Sequence, residues 1–133
     1  MNWKQEYDIG IKEIDDQHRD IVHCISDIEQ AVARQEQWSG VHWGMVNLEN
    51  LSQVHFKVEE SLMRIHGYRH LDDHASDHAR FLLLLKELQQ RALAGRISQE
   101  RIYALHEWWD EHIQKHDQPY AARFLAFAAS SKA

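Results

Sequence analysis

Apolar residues in this chain recur at alternating intervals of three and four positions, which is the spacing of one face of an α-helix. The clearest such face runs through Leu71, His74, His78, Phe81, Leu85, Leu88 and Ala92. Gly95 follows directly, and glycine is the commonest residue just beyond a helix end. Strand-like alternation is scarce, so the pattern predicts an all-α protein.

Three further segments carry the same spacing. The first is expected to begin near Asp15, whose carboxylate can cap free amides, and to end before Ser39. The second is expected between about residues 40 and 66, and the fourth begins at Ser98, a good N-cap. Pro119 suits the first turn of a short tail helix.

Four long helices with short connections predict an up-down-up-down four-helix bundle. Residues 1–14 are expected to form an irregular N-terminal arm, and the short tail helix completes the chain. With 133 residues, the whole chain, 1–133, is predicted to be one domain.

Charge and composition exclude several classes of protein. The net charge is −6, and no stretch of Lys and Arg resembles a nucleic-acid footprint. No segment approaches the roughly 20 apolar residues of a membrane span, and the first ten residues lack an apolar signal core. Cys24 is the only cysteine, which fits a reducing compartment. We therefore expect a cytoplasmic protein without nucleic-acid or membrane partners.

Polar residues interrupt the apolar faces of all four helices. They are His18, His55, Glu59, His74, His78 and His112, with Asp117 just beyond the last. In an up-down-up-down bundle, the start of the first and third helices and the end of the second and fourth share one end. At about 1.5 Å per residue, these side chains fall within about two turns of one level.

A metal centre explains five imidazoles and two carboxylates in one buried layer better than a set of hydrogen-bonded core histidines. Seven ligands exceed the need of one ion, so two ions are expected. Mixed imidazole and carboxylate ligands suit iron, manganese or zinc, and the pattern alone does not choose among them.

At these residues the sequence resembles the hemerythrins, specifically the single-domain bacterial type. The resemblance extends from Trp3 to Tyr120 and rests on four segments, namely Gly10-Ile11 with Ile14-Asp15-Asp16-Gln17-His18, His55-Phe56-Lys57-Val58-Glu59-Glu60 with Met63, Tyr68 with His74 and His78, and Trp108 with His112-Ile113, Asp117 and Tyr120.

The resemblance implies a ligand set. One iron would be bound by His74, His78 and His112, and the other by His18 and His55, with Glu59, Asp117 and an oxo or hydroxo group as bridges. The second iron would keep one open position, where dioxygen would bind reversibly and nitric oxide could also bind. The two ions would cycle between Fe2+ and Fe3+.

One position departs from the family pattern. Trp109 stands where the family usually has leucine, near the oxygen pocket, which Phe56, Trp108, Ile21 and Phe81 are also expected to line. The indole would narrow the pocket, donate a hydrogen bond to bound oxygen, or point aside and fill the core.

Other polar residues close to the expected ligands are not expected to bind metal. His70 and His116 each lie four residues from an expected ligand, but His74 with His78 and Asp117 are preferred. Glu60 is expected to point away from Glu59 and pair with Arg64.

The leading functional hypothesis is an oxygen carrier, without enzymatic activity, that stores oxygen or delivers it to an oxygen-consuming enzyme. The alternatives are a di-iron oxidase or peroxidase, an oxygen or nitric oxide sensor, and a purely structural bundle.

Overall fold

The computed structural model describes residues 1–36, 38–95 and 97–131, with the side chains of Trp38 and Ser131 left aside. Its helices are α1 (Lys12–Ala33), α2 (Trp38–Ile65), α3 (Leu71–Leu93), α4 (Gln99–Glu111) and α5 (Gln118–Ser131). A π-helical turn, His112–Asp117, joins α4 to α5, and a short 3-10 turn, Gln5–Tyr7, lies in the N-terminal arm. The described residues contain no β-strand.

Helices α1 to α4 form a closed four-helix bundle. Helix α1 packs against α2 and α4, and α3 packs against the same two helices. Away from the polar layer the core is apolar, with fully buried side chains from every helix, among them Ile25, Ile28, Met45, Leu48, Leu85, Ile102 and Leu105. The predicted all-α, up-down-up-down architecture is confirmed.

The start of α1 differs from the predicted one. The helix begins at Lys12, and Asp15 lies within its first turn. The Asp15 carboxylate accepts hydrogen bonds from the amides of Ile9 (2.9 Å) and Gly10 (3.2 Å), so it fastens the arm to the bundle. The helix ends at Ala33, before Ser39 as predicted, and Gln35 adopts a φ of +54° that turns the chain out of the helix.

Ser98 caps α4 as predicted, because its hydroxyl accepts a hydrogen bond from the Arg101 amide at 3.2 Å. Pro119 lies in the first turn of the tail helix α5, as predicted, and no break separates this helix from α4. The π-helical turn continues α4 directly into α5, and the Gln118 amide reaches the Ile113 carbonyl across five residues. Pro119 has no amide hydrogen, and its ring would meet a carbonyl four residues back in a regular helix, so a wider turn relieves the conflict.

The sequence predicts no segment long and apolar enough to span a membrane. None of the described helices combines enough length with enough apolar character to cross a bilayer.

Candidate metal centre

The seven polar side chains singled out in the sequence meet in one layer of the bundle interior. Helix α1 supplies His18, α2 supplies His55 and Glu59, α3 supplies His74 and His78, and the π-helical turn supplies His112 and Asp117. None of the seven is more than 4% exposed. The structure therefore withdraws five imidazoles and two carboxylates from water together.

The π-helical turn explains the spacing of its two contributors. In a regular α-helix, a residue five positions on is rotated by about 140° from the first. The wider turn brings His112 and Asp117 onto the same side, so that Asp117 Oδ1 lies 3.1 Å from His112 Nε2. Such turns occur often at functional sites.

One cluster of possible ligands contains Glu59, His74, His78 and His112. The ligand atoms of these four residues all lie within 4.8 Å of one another. Glu59 Oε1 is 3.2 Å from the Nε2 atom of His78 and 3.6 and 3.7 Å from those of His74 and His112. Three imidazoles and a carboxylate thus surround one small volume.

A second cluster contains His18, His55, Glu59 and Asp117, again within 4.8 Å of one another. The Nε2 atoms of His18 and His55 are 3.0 Å apart. Asp117 Oδ2 lies 3.0 Å from His18 Nε2, and Glu59 Oε1 lies 3.4 Å from His55 Nε2. This volume has two imidazoles where the first has three.

The two carboxylates face both clusters. Asp117 directs Oδ2 to His18 and Oδ1 to His74, at 2.9 Å, and Glu59 reaches imidazoles of both clusters. Among the described residues, neither oxygen of Glu59 has a partner in hydrogen-bond geometry. Leaving a buried carboxylate without such partners is expensive, whereas a bound cation compensates it.

The electrostatics of the clusters also favour a cation. Burial would raise the pKa of Glu59, but the imidazoles of His55, His112 and His74 hold it well below its usual range. Burial would lower the pKa of His112, yet the Asp117 and Asp77 carboxylates raise it well above its usual range. The carboxylates are therefore ionised at neutral pH. When no metal is bound, protons on the imidazoles supply the positive charge beside them.

The pKa values of His74 and His18 are shifted in opposite directions. Burial would lower the pKa of His74, but its hydrogen bond to Asp117 and the nearby carboxylate of Glu59 raise it to about 9. Burial and the nearby charge of His55 instead lower the pKa of His18. The His18 imidazole therefore favours its neutral form more than a free imidazole does.

Outer contacts hold three of the imidazoles by the nitrogen that faces away from the clusters. His78 Nδ1 lies 2.9 Å from Glu60 Oε2, His112 Nδ1 lies 3.0 Å from Asp77 Oδ2, and His55 Nδ1 lies 2.8 Å from Gln17 Oε1. An oxygen that only accepts requires Nδ1 to carry the hydrogen, which leaves Nε2 free to bind a metal.

Sequence reasoning missed these outer contacts. The expected pairing of Glu60 with Arg64 was wrong, because the Glu60 carboxylate turns to His78. Glu60 lies beside Glu59 on α2, and Asp77 lies three residues after His74 on α3. A search for acidic residues next to expected ligands would have found both.

Aromatic rings form a wall over the clusters. Phe56 stacks on His78 with ring centroids 3.9 Å apart, and the Trp109 ring is also nearly parallel to Phe56, with centroids 5.5 Å apart. Trp108 stacks on His112 at 4.5 Å, and Phe81 packs against both tryptophans. Ile21, one turn beyond His18 on α1, is fully buried as well.

Trp109 lies at the centre of that wall. Its ring is 5.7 Å from His55 and 6.0 Å from His18, the two imidazoles of the second cluster. The side chain is fully buried, and its Nε1 has no hydrogen-bond partner among the described residues. The indole is therefore packed beside the second cluster, with an N–H that no described residue accepts.

The competing histidines lie outside the clusters. His70 precedes α3 and is 58% exposed, with its ring 4.0 Å from the Asp73 carboxylate. His116 is exposed and packs its ring beside His112, whereas Asp117 is fully buried.

A four-helix bundle with paired His and carboxylate clusters defines a class of non-haem metal proteins. The family model described as the hemerythrin HHE cation binding domain matches residues 9–124 of this chain. The chain therefore belongs to the hemerythrin family.

Curated relatives and a solved structure agree with that assignment. The chain is 32% identical to a bacteriohemerythrin of Stenotrophomonas maltophilia, over 93% of this chain and 81% of the relative. It is 26% identical to a myohemerythrin of Theromyzon tessulatum, over 91% of each chain. A crystal structure of wild-type hemerythrin superposes with a TM-score of 0.85 at 25% identity, covering 93% of this chain and 97% of the other.

Proposed function

We propose that this protein binds dioxygen reversibly at a centre of two iron ions. The observation that carries the proposal is the unequal division of imidazoles, three around one volume and two around the other, with Glu59 and Asp117 facing both. Equal sharing of the carboxylates would leave the two-imidazole ion one donor short. That position is the one proposed for dioxygen.

The geometry of the two clusters supports a particular set of proposed ligands. His74, His78 and His112 would hold one iron, His18 and His55 would hold the other, and Glu59 and Asp117 would bridge them. Manganese and zinc also accept imidazole and carboxylate donors, and membership of the hemerythrin family favours iron. Iron supplies the reversible electron transfer that oxygen binding at such a centre needs.

The surrounding side chains would keep the pocket dry. Phe56, Phe81, Trp108, Trp109 and Ile21 present rings and a branched chain where water would otherwise enter. Excluding water and protons protects bound oxygen from being lost in a reduced form. The buried indole N–H of Trp109 would also offer a hydrogen bond to the ligand.

The proposed role is storage of oxygen or delivery to an oxygen-consuming enzyme. The relatives named bacteriohemerythrin and myohemerythrin support a carrier without enzymatic turnover. A reducing cytoplasm suits the lone, buried Cys24. Nitric oxide would compete for the same position, and a sensor or oxidase would use the same residues.

A spectroscopic cycle tests the proposal. The protein is loaded with ferrous iron without air, exposed to dioxygen, and returned to an oxygen-free atmosphere while the visible spectrum is recorded. A carrier regains the colourless ferrous spectrum over repeated cycles. One-way conversion to a ferric form, with hydrogen peroxide or water accumulating, would contradict the proposal and indicate an oxidase.

Loss of a pocket ligand provides the control. His55→Ala removes an imidazole of the second cluster while leaving His74, His78 and His112 in place. We expect this variant to lose the reversible spectral change. A full reversible change in His55→Ala would show that oxygen binds somewhere other than this pocket.

A further inference from the structure

The imidazoles of the two clusters differ in what holds them from outside. In the three-imidazole cluster, His78 and His112 each have a carboxylate at Nδ1, from Glu60 and Asp77. In the two-imidazole cluster, His55 has the neutral amide oxygen of Gln17 instead. His18 Nδ1 is buried and has no partner within the described part of the chain.

This difference amounts to an imbalance of charge. Two anionic groups contact the outer side of the three-imidazole cluster, and no anionic group among the described residues contacts the outer nitrogens of His18 and His55. The side chains of Glu60 and Asp77 are only 23% and 21% exposed, so water screens their charge incompletely.

A carboxylate that accepts the outer N–H of an imidazole makes the ring a stronger donor through its other nitrogen. A stronger donor favours the more highly charged state of a bound metal. An amide oxygen in the same place does so less, because it carries no net charge. The outer contacts would therefore act differently on the two ions.

We propose that Glu60 and Asp77 are positioning residues that make the iron held by three imidazoles the easier of the two to oxidise. This inference rests on the proposed di-iron function. Reversible binding would take two electrons, one from each Fe2+, and would reduce dioxygen to the peroxide level, and release would return one electron to each ion. With no open position, the iron held by three imidazoles would contribute only its electron, and the two carboxylates would favour giving it.

Isosteric neutral variants test the charge separately from the contact. Glu60→Gln and Asp77→Asn each keep an oxygen that accepts the imidazole N–H. With full iron loading, we expect each to raise the midpoint potential of the centre. A tenfold change in the ratio of Fe3+ to Fe2+ affinity corresponds to about 59 mV for a one-electron couple, and the double variant should shift further than either single variant.

Two control variants bracket the effect. Gln17→Glu adds a charge beside His55, and we expect it to lower the potential of the other iron. Glu107→Gln removes one negative charge, as Glu60→Gln and Asp77→Asn do, but at an exposed position on α4 outside the clusters. We expect no shift of the midpoint potential in this variant. Zinc affinity of the metal-free proteins, measured in parallel, reports whether the ligands are still in position.

The outcomes separate the two proposals. Unchanged potentials in Glu60→Gln and Asp77→Asn, with two irons bound and a reversible oxygen cycle, would overturn this inference and leave the proposed function standing. A purely structural role would weaken iron and zinc binding alike and leave the potential unmoved, which would also overturn it. Shifted potentials in a protein that never returns its oxygen would support the inference and remove the proposed carrier function.

Discussion

The Nε2 atoms of His78 and His112 lie 3.2 Å apart in the bundle interior, although one side chain comes from α3 and the other from the π-helical turn. Glu60 and Asp77 accept the hydrogens on the opposite nitrogens. Two bare nitrogen lone pairs at this distance would repel each other, so a positive charge must lie between or beside them. A proton serves in the metal-free protein, and a metal ion would replace it.

Metal binding should therefore release protons. The pKa of His74 is raised to about 9 and that of His112 well above its usual range, so both carry protons at neutral pH without metal. A metal must displace them, which means that affinity rises with pH as long as these imidazoles hold protons. Adding zinc to the metal-free protein in weakly buffered solution at pH 7.5 should acidify it, and pH-stat titration measures the amount.

The variant His74→Ala provides the comparison for that titration, because it removes one of the protonated imidazoles. We expect fewer protons released per zinc bound. Zinc binding to the unaltered protein with no proton release, or with affinity that falls as pH rises from 6.5 to 8.5, would contradict the assigned charge states.

The sequence was sufficient to predict the bundle and the convergence of the polar layer. Apolar spacing defined four helices, and up-down-up-down connectivity placed His18, His55, His74 and His112 near one level. Both conclusions depend only on helical periodicity and rise, which a sequence expresses directly. The start of α1 was harder to predict from the sequence, because the Asp15 carboxylate binds amides of the preceding arm instead of capping the helix.

The outer contacts and the π-helical turn could not be predicted in the same way. Whether Glu60 turns toward Arg64 or His78 depends on how α2 and α3 pack, and helix spacing does not specify this. The turn between His112 and Asp117 depends on local hydrogen bonds that shift from four to five residues. Pro119 was a local signal for an irregular turn, since it has no amide hydrogen. The same residue also predicts the start of a helix, so it could not identify the π-helical turn.

Trp109 should control how long oxygen stays bound. Trp109→Leu removes an indole that is packed beside His18 and His55, opening space for water and removing the N–H donor. We expect faster oxygen dissociation and faster autoxidation, together with about 1–3 kcal/mol lower stability from the cavity. Stopped-flow dissociation and the decay of the oxygenated spectrum measure the two rates.

Trp109→Phe separates the two effects of the indole, because phenylalanine keeps a ring in the wall and lacks the N–H. Rates close to those of Trp109→Leu would assign control to the hydrogen bond, and rates close to those of the unaltered protein would assign it to the wall. Identical rates in all three proteins would refute any role for Trp109 in oxygen binding.

Gly44 should be required for the close approach of α1 and α2. A Cβ at this position would lie 2.9 Å from Ile28 Cγ1, too near for two carbon atoms. We therefore expect Gly44→Ala to destabilise the metal-free protein by about 1–3 kcal/mol through overpacking, although alanine favours helix. Urea unfolding followed by circular dichroism measures the change.

Gly40→Ala is the matched control on the same helix, since a Cβ there meets only Glu36 Oε1 at 3.8 Å. Reduced freedom of the unfolded chain should raise its stability by about 0.5 kcal/mol. Equal effects of the two substitutions would show that helix propensity, and not contact with Ile28, decides both.

Iron content per folded chain tests the central claim most directly. Metal-free protein is loaded with excess ferrous iron without air, passed through a desalting column, and analysed for iron and protein. The seven converging side chains predict two irons per chain, and fewer than two after Glu59→Ala, which removes a carboxylate shared by both clusters. One iron or none in the unaltered protein would contradict the paired centre.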